Sequence, residues 1–78
     1  MEKRMFRVEL KVVGQSITFI DYVGAECAAI AISDSINRRI EFMKTYYPNT
    51  GMKQEDLKLF NVEDVGEFEA TARELSRD

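Results

Sequence analysis

Residues 27–47, CAAIAISDSINRRIEFMKTYY, carry apolar side chains at the spacing of one helix face and end against a proline. At about 100° per residue, Ala29, Ile32, Ile36, Ile40, Met43 and Tyr47 fall within one narrow arc. Asp34, Arg38, Glu41 and Thr45 fall opposite, and Asp34 precedes Arg38 by one turn with the acid first, the helix-supporting order. Pro48 cannot continue a helix and disfavours helical backbone at Tyr47, so the C-terminal boundary is firm. The start is softer, because neither Glu26 nor Cys27 is a strong N-cap. About five turns of amphipathic helix can cover one small sheet, and the flanking segments supply the strands.

Residues 4–13, RMFRVELKVV, alternate cleanly. Phe6, Val8, Leu10 and Val12 point one way; Met5, Arg7, Glu9, Lys11 and Val13 point the other. Gly14-Gln15-Ser16 is a turn with glycine available for a positive φ, and residues 17–23 resume the β pattern, which predicts an antiparallel hairpin. In the second strand Ile17, Phe19, Asp21 and Val23 share one face; Thr18, Ile20 and Tyr22 share the other. Residues 57–62, LKLFNV, predict a third strand. Residues 64–77 fit a closing helix, with Val65, Phe68, Ala72 and Leu75 as its stripe, Asp64 and Glu67 at capping-box spacing, and Arg73 and Arg77 at its end. The alternative is a fourth strand, in which Phe68, Ala70 and Ala72 alternate with Glu67, Glu69 and Thr71. The expected fold is α+β, a small antiparallel sheet with one long helix packed on it, in the order ββαβ plus a C-terminal helix (or ββαββ), as a single domain over residues 1–78.

Composition limits the function classes. With one cysteine and no histidine, an internal disulfide is excluded and a structural zinc site lacks its preferred ligands. No apolar run approaches the ~20 residues that span a bilayer, so no membrane partner is expected. The first residues pass from MEKR directly into a strand pattern without the form of a signal peptide; with a free thiol, this predicts a cytoplasmic protein. The net charge of −3 is uneven: residues 1–44 hold seven basic and six acidic side chains, and residues 45–78 hold four basic and eight acidic. An acidic second half disfavours a general polyanion binder.

No constellation of side chains predicts catalysis. Cys27 sits near a helix N-terminus, where a thiol can be activated, but the chain has no histidine to act as its base; among Ala25, Ala28 and Ala29 it reads as a small buried packing residue. The carboxylates match no calcium-loop spacing, and there is no phosphate loop, nucleophile elbow or dinucleotide fingerprint. No enzyme activity, metal or cofactor is expected. Asp21 stands out because it shares a strand face with Phe19. Arg38-Arg39 and Tyr46-Tyr47 on the helix, with Arg7 and Lys11 on one strand face, give single-stranded nucleic acid as the alternative partner. Consecutive arginines point about 100° apart, however, and Glu9 lies between Arg7 and Lys11.

What remains is surplus apolar surface. Met5, Val13, Ile20 and Tyr22 share the sheet face away from the helix, and Phe42 and Tyr46 widen the helical stripe to one flank; so much on so small a domain marks a protein-binding or dimer interface, the alternative being that the terminal segment folds back to cover it. Glu63, Asp64, Glu67 and Glu69 are expected to form an acidic rim that steers the partner. A core of this size without a disulfide or metal also favours a homodimer. The succession of a two-stranded hairpin, VGAE, and a long helix with AIAI near its start resembles many small accessory proteins of bacteria and their phages. The resemblance implies an adaptor, regulator or inhibitor acting by protein contact, and carries over no site residues.

Overall fold

The computed structural model describes residues 2–75. Strand β1 (Arg4–Val12) turns back through Gly14 into β2 (Thr18–Ala25). Gly14 adopts φ 80°, a conformation that excludes most side chains and closes the turn between β1 and β2. Helix α1 (Ala28–Tyr46) then runs back over the sheet and ends where the Tyr47 N–H donates to the Met43 carbonyl. Two single 3₁₀ turns, Pro48–Thr50 and Gln54–Asp56, carry the chain across the hairpin end into β3 (Leu57–Glu67), and helix α2 (Phe68–Leu75) follows. The sheet order is β2-β1-β3, with β1 antiparallel to both neighbours. The expected α+β order with a closing helix is therefore the observed one.

The core lies between α1 and the sheet. Phe6, Val8, Leu10 and Val12 of β1, Val23 and Ala25 of β2, and Leu57 of β3 are buried there against Ala31 and Ile40 of α1. The buried face of the helix is shifted from the expected stripe: Ala31 and Ser35 are buried, whereas Ala29 and Tyr47 are exposed. Ile40 is buried and Ile36 packs on the core as expected, so the shift is confined to the edges of the stripe, where the Ser35 hydroxyl donates to Asp21 of β2. Cys27, expected in the core, is instead exposed at the N-cap of α1, with extended backbone.

Two further expectations need correcting. Strand β3 continues through Asp64 and Glu67, which pair with β1 and start no helix; α2 begins only at Phe68, and Arg77 lies outside the described residues. The Asp64 carboxylate accepts from the Gly66 N–H and from Arg4 across the sheet, so the capping-box spacing serves strand pairing instead. Met5 is also not an exposed interface residue. It forms a row with Gly24 and Gly66, its register partners on the outer sheet face, and is only 5% exposed. Helix α2 packs against β1 and β3 at this end of the sheet, and the Phe68 ring lies on Gly24. A Cβ built at Gly24 would meet ring carbons at 2.1 and 2.2 Å, so only glycine admits the ring.

Candidate interaction surface

Asp21 is the centre of a small polar cluster between β2 and α1. It accepts from the Ser35 hydroxyl at 2.9 Å and from Arg39 Nη2 at 3.2 Å. Ser35 is fully buried, and Asp21 and Arg39 are mostly so. The Arg39 guanidinium lies over the Phe19 ring at 4.1 Å and over Phe42 at 5.4 Å, giving a cation held between two aromatic faces. From Phe42 the rings continue outward, with Tyr46 at 4.9 Å and Tyr47 at 6.1 Å between centroids. The sequence identifies Asp21 as unusual but cannot show its partners, because Ser35 and Arg39 are distant along the chain.

The six expected interface residues separate into three environments. Met5 is covered by α2. Val13, just beyond β1, donates its N–H to the Asp56 carbonyl and borders a groove at the hairpin end with Ile17, Phe19, Met43 and Met52. Ile20 and Tyr22 are 47% and 44% exposed on the outer face of β2; Phe42 and Tyr46 are 42% and 66% exposed on the helix flank above the same strand. Asp21, Arg38, Arg39 and Phe42 line one depression there. The four remaining residues thus border one side of the molecule, on the two faces of β2. Tyr47, assigned to the buried stripe, joins the exposed aromatic group.

Beside Ile20 and Tyr22 the outer face is charged and internally paired. Arg7 binds Glu9 on its own strand, and both lie opposite β2, Arg7 across from Tyr22 and Glu9 across from Ile20. The hydrogen bond to Glu9 first, and the Tyr22 hydroxyl after it, raise the Arg7 pKa above its ordinary value. Lys11 and Lys58 face one another across β1 and β3 at the hairpin end.

The four acids expected to form a rim are mostly engaged within the chain. Asp64 receives Nε and Nη2 of Arg4 at 3.0–3.2 Å, and that hydrogen bonding, with the Gly66 N–H, holds its carboxyl below the usual carboxylate range. Glu63 accepts from Asn61, and Glu69 pairs with Arg73 one helical turn on. Glu67 lies opposite Arg4 in the sheet register. Among the described residues no group of three or more His, Cys, Asp or Glu side chains converges as for a metal ion, and no helix is long and apolar enough to cross a membrane.

The fold and this surface define a small three-stranded α+β domain with an aromatic, arginine-centred flank. Comparison with protein families, curated proteins and solved structures finds no match for the chain.

Proposed function

We propose that the chain is a non-enzymatic protein-interaction module, a small cytoplasmic regulator, adaptor or inhibitor that acts by binding a larger protein. The observation that carries this reading is the group of exposed rings at the C-terminal end of α1, Phe42, Tyr46 and Tyr47, anchored by Arg39 between Phe19 and Phe42. Aromatic residues and arginine dominate the energetic centres of protein interfaces, because rigid rings desolvate large areas at little entropic cost. Here Phe42, the ring that Tyr46 and Tyr47 lie against, rests on Arg39 of the mostly buried Asp21–Arg39 pair, which sets its position before a partner arrives and reduces the ordering cost of binding.

Affinity capture with the tagged protein from its native cells tests this. The wild type is expected to retain a specific partner, and Tyr46→Ala or Phe42→Ala to weaken retention by about tenfold or more, the range of a hot-spot residue. Retention unchanged in both variants would remove this flank as the binding surface. A second reading, single-stranded nucleic acid, has one observation in its favour, the opposed Lys11 and Lys58 on the open sheet face. It requires oligonucleotide binding that falls steeply with salt.

A further inference from the structure

We infer that β2 is a self-complementary edge on which a second copy of this chain pairs antiparallel, joining two three-stranded sheets into one of six strands. This inference concerns the sheet edge and is independent of the aromatic flank of α1.

The hydrogen bond from the Val12 N–H to the Ile17 carbonyl at 3.0 Å sets the alternation of the hairpin. Odd-numbered residues of β2 turn their backbone groups toward β1; Thr18, Ile20, Tyr22 and Gly24 turn theirs outward, where no strand lies among the described residues. The two edges of the sheet differ. Along β3 the register with β1 shifts twice, and the strand carries Lys58, Glu63, Asp64 and Glu67. Bulges and charges are the devices that blunt an edge. Strand β2 pairs with β1 without a register shift, and contains no lysine, arginine or proline. Its single charge, Asp21, is neutralised within the chain by Arg39, with Ser35 as a further donor. The carboxylate that would meet its own copy on a two-fold axis is thus balanced by a cation within each chain.

Because only even-numbered residues offer outward groups, a two-fold antiparallel pairing must match even residues with even ones. The register with Asp21 on the axis overlaps nearly the whole strand. It sets Ile20 against Tyr22 of the other copy, twice, and Thr18 against Gly24. On the outer face the four side chains form one apolar stripe, bounded on both sides by an Arg7–Glu9 pair. That is the apolar centre and charged rim of a protein interface, generated from one strand by symmetry. On the other face the part-exposed Phe19 and the Asp21–Arg39 pair border the seam. An interface of standard size takes about 800 Å² from each partner, roughly one seventh of the 5546 Å² surface of this chain.

Sedimentation of the wild type over a range of concentrations, with a register-specific cross-link, decides it. The expected mass is twice 9.0 kDa at micromolar concentration and above. Ile20→Lys adds an edge charge at an exposed position and is expected to raise the dimer dissociation constant at least tenfold, with an unchanged circular dichroism spectrum. In a Cys27→Ser background, mixing Ile20→Cys chains with Tyr22→Cys chains is expected to give the mixed disulfide in preference to either homodimeric one. Directly opposed residues have Cα atoms about 5.5 Å apart, within disulfide reach. A concentration-independent mass of 9.0 kDa overturns the inference, and so does a dimer whose cross-links favour either like pair. Either result leaves the α1 flank to be judged by partner capture alone.

Discussion

Replacing Gly24 with alanine should destabilise this protein or stabilise it, depending on what stands at position 68. In the wild-type chain the new Cβ would lie 2.1 and 2.2 Å from two carbons of the Phe68 ring, far inside any real contact, so the ring must leave its seat. Fully burying a phenylalanine side chain is worth about 1.5–3 kcal/mol, and Phe68 is partly buried, so the loss is about 1–1.5 kcal/mol. Phe68→Ala alone should lose a similar amount. Once the ring is gone, alanine at position 24 meets no ring and suits a strand better than glycine, by about 0.5 kcal/mol. Gly24→Ala should therefore change sign, from destabilising in the wild type to neutral or stabilising in the Phe68→Ala background. Urea unfolding of the four proteins gives this cycle directly, provided the slopes agree. Additive losses would refute the reasoning, and with it the assignment of α2 as the cover of Met5.

The Asp21 cluster predicts a graded response. Ser35→Ala should lower Tm by about 4–8 °C, the effect of one lost hydrogen bond of about 1 kcal/mol in a domain of this size. Asp21→Ala should cost two to three times as much, because it leaves both the Ser35 hydroxyl and the Arg39 guanidinium without their acceptor; equal shifts would contradict the shared-acceptor geometry. Arg39→Lys keeps the charge but loses the planar group between Phe19 and Phe42, and should cost about 1 kcal/mol in thermal unfolding. Asp64, hydrogen-bonded by Arg4 and the Gly66 N–H, should titrate by NMR below the ordinary range for aspartate. Because its folded pKa is depressed, its contribution is complete above the unfolded value of about 3.9 and is lost as the pH falls through the folded value. Asp64→Asn should remove that part of the acid dependence while leaving behaviour at neutral pH to the rest of the sheet.

The hairpin and α1 were legible because each rests on a local pattern: strict alternation in β1, a glycine turn, and a proline that stops the helix. The rest depended on distant partners. Residues 64–67, DVGE, read as an acidic helix start by composition, yet β1 supplies Arg4 and an open edge, and pairing with them overrides local preference. Along α1, Ile36 and Ile40 keep the expected face, whereas the burial of Ser35 rests on its bond to Asp21, a partner 14 residues away that periodicity does not show. Met5 had the alternation of an exposed residue and became buried because two glycines beside it make room for α2. At the interaction surface, exposure of Ile20, Tyr22, Phe42 and Tyr46 could be anticipated. Their meeting around one strand could not, since it depends on where α1 crosses the sheet.

The position of β1 between its two neighbours also sets an order of events in time. Its contacts with β2 close a loop of a few residues, but those with β3 join Arg4 to Glu67, almost the length of the described chain. The entropic cost of closure grows with the separation, so the hairpin can form on the microsecond scale of local structure while β3 must wait until α1 has brought the chain around. Helix α2 follows β3 and inherits its delay. The same dependence operates in reverse in the native state: amide protons along β3 and α2 should exchange with solvent before those shared by β1 and β2, because the last elements to dock are the first that can open without unravelling the others.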